Sequence, residues 1–269
     1  MQPSRRFGVA ACNQKGNTAV MKAIRKTVFT AVASAAMLMM SAPSNAVIQL
    51  GFILDRSGSI GSGNWTVIVN GLASAINTLV PVDSSYEITV VSFANGATTD
   101  VNRAVINSVA TRSAVAAVVA AIPFTGGGTD LTAGLNSMTT ALTSGSQTGV
   151  TASYVNLATD GVPNSTATAA AAAAAMVAAG IDNISVEGIG TGVNAAYLQG
   201  SICSPQPCDT TAPYNFPAQG FYIAVADAQG YASAIGNKVR IVTGVPEPGT
   251  LALLGLGLVG LGLSRRRTA

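Results

Sequence analysis

Residues 47–244 are predicted to fold as an α/β domain built on an open, mostly parallel sheet flanked by helices. Three observations predict it. Nearly continuous apolar runs rich in Val and Ile recur along this stretch, as in strands buried on both faces. Between them lie segments with apolar residues at helical spacing. The alternation of the two is the pattern of a parallel sheet whose strands are joined by crossover helices.

The elements follow in order. VIQLGFILD (47–55) is a strand buried on both faces. A helix over 64–79 carries Val67, Ile68, Leu72, Ile76 and Leu79 at helical spacing. YEITVVSFA (86–94) is a second strand, 98–106 an adjoining edge strand, and 113–122 a short Ala/Val helix. Leu131, Leu135, Met138 and Leu142 share one side of a helix over 131–142. SYVNLATD (153–160) is a buried strand ending in a carboxylate. Residues 166–179 are almost pure Ala, the best helix former. Asn164-Ser165 supply an N-cap and Gly180 a stop, which marks an ordinary helix rather than a low-complexity tract. ISVEGIG (184–190) and GFYIAVA (220–226) are further strands, and 227–239 is the last helix. One good core accounts for this length, with no second domain and no internal repeat. The stretch 199–217 holds Pro205, Pro207, Pro213 and Pro217 with Cys203 and Cys208. It reads as an insertion stapled by a disulfide in an oxidising compartment. Two free thiols or a redox pair are the alternatives, although the spacing is not C-x-x-C.

Both ends read as targeting segments. From Met21, Lys22, Arg25 and Lys26 form a positive region, 28–40 an apolar one, and Ser44-Asn45-Ala46 a small-residue cleavage site. These are the parts of a secretory signal peptide, over 21–46, in order. Residues 1–20, which include Cys12, lack such a pattern and read as a gene-model extension. A permanent N-terminal anchor would want a longer apolar run. At the other end, Pro246-Glu247-Pro248 precedes an apolar stretch, 251–263, and then Arg265, Arg266 and Arg267. This segment, 245–269, resembles the PEP-CTERM sorting tail of Gram-negative bacteria that make exopolysaccharide. The resemblance implies recognition and removal of the tail by an exosortase, a membrane transpeptidase-like enzyme. The protein is then released or attached at the cell surface. A helix over the apolar stretch would extend ~20 Å at ~1.5 Å per residue, against a hydrocarbon core of ~30 Å. It suits a transient inner-membrane anchor with its arginines on the cytoplasmic side. A permanent single-span anchor is the alternative.

Composition narrows the function. The formal charge of +3 arises at the ends. Between residues 47 and 244 there are five Lys and Arg against ten Asp and Glu, a net charge of −5. The basic balance therefore gives no reason to expect nucleic acid. The chain has no His, which excludes a Ser-His-Asp triad, a Cys-His pair and His-ligated zinc. GIGTG (188–192) lacks the last glycine of a dinucleotide loop, since Val193 stands there. Trp65 and the Tyr and Phe residues form no cage or stripe and read as core or rim.

One constellation carries chemistry. The first strand ends in Asp55-Arg56-Ser57-Gly58-Ser59. Ligand sites of open α/β sheets collect at that edge, and a carboxylate and two hydroxyls on one tight turn can face one hard cation. Mg²⁺ prefers about six oxygens at ~2.1 Å and retains several waters. Gly126-Gly127-Gly128-Thr129-Asp130 precedes a helix and offers another hydroxyl, and Asp160 ends a second buried strand. Each has a plainer reading: Asp55 as a helix-capping carboxylate, Thr129 and Ser165 as N-caps. Asp130 is expected as a first-turn helix carboxylate. Arg56 is expected to face solvent or a partner.

These segments resemble the von Willebrand factor A family over essentially the whole of 47–244. Asp55, Ser57, Ser59, Thr129 and Asp160 match the family's metal-ion-dependent adhesion site one by one. The resemblance implies a Rossmann-like open sheet wrapped by helices. Ser57, Ser59 and Thr129 would be hydroxyl ligands to Mg²⁺, Mn²⁺ or Ca²⁺, with Asp55 and Asp160 bound directly or through water. An open coordination position would accept an Asp or Glu of a partner protein, or a glycan. The function expected is an exported surface or matrix adhesion module. A structural matrix component without metal-dependent ligand is the alternative. An exported hydrolase using Ser57 or Ser59 would lack a His base and a G-x-S-x-G elbow.

Overall fold

The alternating runs assemble as the sequence predicts. The computed structural model of the protein describes residues 46–244; the expected signal peptide and sorting tail lie outside the described residues. Within them six strands form one sheet, in the order β3-β2-β1-β4-β5-β6. The strands are β1 (Val47–Asp55), β2 (Tyr86–Phe93), β3 (Ala97–Val105), β4 (Val150–Thr159), β5 (Asn183–Ile189) and β6 (Tyr222–Val225). β1 pairs in parallel with β2 and β4, and β5 and β6 continue that direction. β3 runs antiparallel at the edge, as expected of an adjoining strand.

β1 is continuously apolar because both of its faces are covered. Leu50, Phe52 and Leu54 join one core with Leu72 and Ile76 of α1 (Ser62–Leu79), Val115 and Val119 of α2 (Val109–Ala120), and Tyr231 and Ile235 of α6 (Ala228–Thr243). Ile53 joins the other with Leu135 and Met138 of α3 (Leu131–Thr143) and Ala172 and Met176 of α4 (Thr166–Ala178). Trp65 is core, its indole N–H donating to Ile122 O at 2.8 Å.

The helix ends follow local capping. Ser165 accepts from Thr168 N, as predicted. α2 starts earlier than apolar spacing indicates because Ser108 caps it through Thr111 N. α6 runs past Val239 to Thr243 and stops at Gly244, whose φ is 64°.

The Pro-rich insertion is preceded by α5 (Ala195–Tyr197), which passes into a wider turn over Leu198–Ile202. Cys203 and Cys208 are joined in a disulfide. Next to it, Ser204 and Ile184 exchange backbone hydrogen bonds of 2.7 and 2.9 Å. β6 pairs with β5 only from Val186 onward. The insertion thus covers the part of the β5 edge that β6 does not reach, an edge otherwise open to foreign strands. Among the described residues no helix is long and apolar enough to cross a membrane.

β1 and β4 are neighbours, yet the chain leaves them on opposite faces, through α1 and α4. This is the switch point of an open α/β sheet, where a crevice opens beyond the carboxyl ends of the strands.

Candidate metal centre

Three loops meet in that crevice. The turn after β1 brings Asp55, Ser57 and Ser59. Asp55 Oδ1 accepts from Ser57 N at 2.8 Å, which folds the turn back on its own strand. Asp55 Oδ2 accepts from Thr159 Oγ1 at 2.6 Å, which ties the end of β1 to the end of β4. Ser57 Oγ lies 3.1 Å from Ser59 Oγ, and Ser59 Oγ donates to Asp160 Oδ1 at 2.8 Å.

The glycine loop supplies Thr129. Gly127 has a φ of 103°, a conformation that strains any residue with a Cβ. Its carbonyl accepts from Gly58 N at 2.9 Å, which locks this loop onto the β1 turn. Asn95 Oδ1 accepts from Gly128 N at 2.6 Å, and Asn164 Oδ1 accepts from Thr129 N at 3.0 Å. Thr129 and Ser59 both face Gly161. A Cβ built there would stand 3.5 Å from Thr129 Oγ1 and 3.7 Å from Ser59 Oγ.

All five predicted residues therefore line one crevice. Asp55 and Ser57 are buried, Thr129 and Asp160 half-buried, and Ser59 exposed. The set deepens from an exposed rim to a buried carboxylate. Burial pushes the Asp55 carboxyl up to about 6, against its hydrogen bonds from Ser57 and Thr159. Burial also raises Asp160, opposed by the bond from Ser59. Two carboxylates whose burial disfavours their charge, beside three hydroxyls, form a donor set suited to a hard divalent cation. Among the described residues no three His, Cys, Asp or Glu side chains gather into a group that could hold a metal ion, here or elsewhere.

Three expectations change. Asp130 is the N-cap of α3 itself, accepting from Ala133 N at 3.0 Å, rather than a first-turn carboxylate. That leaves the Thr129 hydroxyl free of a capping duty. Asp55 caps no helix. Arg56 does not face solvent. It is 9% exposed and donates through Nη2 to Thr98 Oγ1 at 2.9 Å. The sequence marks Asn164 only as part of a helix N-cap and gives no sign of Asn95. Their roles here are contacts between distant segments, and of the three only Thr159, beside Asp160, has a local signal.

A sequence model of the von Willebrand factor type A domain matches residues 49–222, and one of the PEP-CTERM protein-sorting motif matches 244–267. No curated protein matches the chain. Solved structures similar to it include proximal thread matrix protein 1 from the mussel byssus, at 16% identity and a TM-score of 0.58 over 74% of this chain and 49% of that one. Another is the pilus adhesin SpaC of Lactobacillus rhamnosus GG, at 13% identity and 0.55, over 73% and 30%. A third is the manganese-loaded TRAP protein of Plasmodium vivax, at 23% and 0.50, over 71% and 72%. The chain thus spans about half the length of the mussel protein and less of the pilus adhesin. The mussel protein has also been solved with a zinc-occupied MIDAS motif.

Proposed function

The chain belongs to the von Willebrand factor type A domain family and carries a PEP-CTERM protein-sorting motif, and on that premise we propose that it is an exported binding protein of the cell surface or extracellular matrix. It captures an acidic side chain of a partner protein through a divalent cation, with Ser57, Ser59, Thr129, Asp55 and Asp160 as the holding residues. The observation that carries this reading is the convergence of these oxygens at the switch point, with Ser59 on an exposed rim.

Each residue has a task. Asp55 orients Ser57 and supplies buried negative charge. Ser57, Ser59 and Thr129 supply neutral oxygens. Asp160 closes the set from β4. When bound, the cation supplies positive charge that attracts a partner's carboxylate, and neutral hydroxyl donors leave that charge less spent than five carboxylates would. The sorting motif at 244–267 supports tail removal by an exosortase, after a transient stay in the inner membrane. The net charge of −5 over residues 47–244 gives no pattern that would select nucleic acid, and no enzymatic step is assigned to the site.

Thermal unfolding of the protein in EDTA, Mg²⁺, Mn²⁺ and Ca²⁺, beside Thr129→Ala and Ser59→Ala, tests the reading. An ion at 100 times its Kd adds ~2.7 kcal/mol to stability. Wild type is expected to gain stability with at least one ion and the variants to lose most of the gain. If no ion shifts the wild-type curve, the cation reading is wrong and a structural matrix role replaces it.

A further inference from the structure

A buried amine, a buried amide and a buried acid meet beneath α6. Lys238 of α6, Asn156 of β4 and Glu187 of β5 are 3%, 4% and 0% exposed. Lys238 Nζ donates to Asn156 Oδ1 and lies 3.2 Å from Glu187 Oε1. The Phe221 ring stands 4.7 Å from Nζ. Stability alone is a poor reason for this group, because a buried ion pair often contributes less than apolar residues of the same volume. Its polar atoms are also poorly satisfied: Asn156 Nδ2 and both Glu187 oxygens lack a well-directed hydrogen bond.

From this geometry we propose that Lys238 and Asn156 join in an intramolecular isopeptide bond, with Glu187 as the catalytic acid and base. The uncharged Nζ attacks Asn156 Cγ. Glu187 takes a proton from Nζ and delivers one to Nδ2, which leaves as ammonia. The Nζ–Cγ bond forms, the Cγ–Nδ2 bond breaks, and Glu187 returns to its starting state. No oxidant, reductant or other reactant enters.

The surroundings favour each step. Desolvation lowers the Lys238 pKa, although Glu187 pulls it the other way, and burial raises that of Glu187. Both shifts favour exchange of the ion pair for a neutral amine and a carboxylic acid, the reactive forms. Holding amine and amide in contact converts a bimolecular attack into a unimolecular one. A cavity of about 20 Å³, lined in part by Asn156, Lys238, Asn183 and Ser185, adjoins the amide. It has room for about one water-sized molecule, the size of the departing ammonia. The product replaces a buried ammonium and an unpaired amide N–H₂ with one neutral amide.

The bond ties α6 to β4, whose end leads into Asp160. α6 directly precedes the sorting motif. On the proposed reading of a surface-attached binding protein, a pull on the C-terminal end of α6 would reach the cation site through this cross-link rather than through the packing of one helix.

Intact and peptide mass spectrometry of the purified full chain tests the bond without reference to metal binding. Wild type is expected to be lighter by one ammonia, beyond the two hydrogens lost to the disulfide, and to yield a branched peptide containing Asn156 and Lys238. Lys238→Met and Glu187→Gln are expected to keep the ammonia, with circular dichroism reporting their folding. A wild-type mass without the loss, or the same loss in Lys238→Met, overturns the proposal. A fully formed bond in Glu187→Gln overturns the role of Glu187. The wild-type measurement stands even if a variant fails to fold.

Discussion

Thr159 Oγ1 donates to Asp55 Oδ2 at 2.6 Å, so the residue beside Asp160 anchors the carboxylate that ends β1. The other Asp55 oxygen is held by Ser57 N. The carboxylate is thus positioned from two strands, and it in turn positions the turn that carries both serines. On the proposed function, the deep, doubly held carboxylate would fix the geometry and the exposed Ser59 would meet a partner.

The raised Asp55 pKa sets a pH dependence. Its folded value of about 6 lies above the ordinary 3.8. Without a cation, the folded state therefore holds this proton more tightly than the unfolded chain does. The corresponding stability is complete below the unfolded value and is lost as pH rises through the folded one. It amounts to on the order of 3 kcal/mol between about pH 4 and pH 6. A cation competes with the proton, so its benefit should move in the opposite direction. Melting curves in EDTA are expected to decline across this window, while the increment from Mg²⁺ grows and levels off near neutrality. An increment independent of pH would remove Asp55 from the cation site.

Thr159→Val keeps the shape of the side chain and deletes the donor. A buried acceptor left unpaired costs ~1–3 kcal/mol. Because this hydrogen bond lowers the Asp55 pKa, its loss raises that pKa further. The variant is expected to be less stable than wild type at neutral pH, and its Mg²⁺ response should move to higher pH. Urea unfolding at two pH values, with and without Mg²⁺, checks both effects. Unchanged stability would mean that solvent replaces the hydroxyl.

The sequence disclosed whatever is periodic or local. β1 showed itself by an apolar run that only cover on both faces explains, and Asp55, Ser57 and Ser59 share one turn. Thr129 and Asp160 showed as a hydroxyl before a helix and a carboxylate ending a buried strand, and the family resemblance was what joined them to that turn across the fold. Thr159, Asn95 and Asn164 act through single hydrogen bonds between remote segments, which leave no spacing to detect. Arg56 departs from expectation because a charged residue in a motif suggests solvent, whereas its side chain is buried and its head donates to Thr98. Glu187 did leave a mark, as the one charge inside the buried run ISVEGIG, but its partner Lys238 lies on the last helix.

The disulfide closes a loop of six residues, Cys203 to Cys208. On a chain-entropy estimate so short a loop gives about 2 kcal/mol. Its role is to hold the insertion against β5 through Ser204 and Ile184. Cys203→Ala with Cys208→Ala is expected to lower stability by about that amount and to speed amide hydrogen exchange at Ile184 and Ser204, leaving the Mg²⁺ increment intact. Loss of the increment would show that the insertion supports the cation site from a distance.

Gly71 and Ala232 set the approach of α1 to α6. A Cβ on Gly71 would stand 2.8 Å from Ala232 Cβ and 2.9 Å from its Cα. In an isolated helix, Gly→Ala would gain about 1 kcal/mol. Here the obstacle includes backbone, which cannot rotate aside, and overpacking of this kind costs ~1–3 kcal/mol. Gly71→Ala is therefore expected to destabilise the protein despite the better helix former. Ala232→Gly alone should lose about 1 kcal/mol of helix propensity. In the double variant the contact with the Ala232 Cβ is removed while that with its Cα remains, so the combined loss should be smaller than the sum of the two single losses. A double-mutant cycle by denaturant unfolding measures that coupling directly. Simple additivity, or a stabilising Gly71→Ala, would show that the two helices slide apart without cost and that their close approach is not what holds α6 in place.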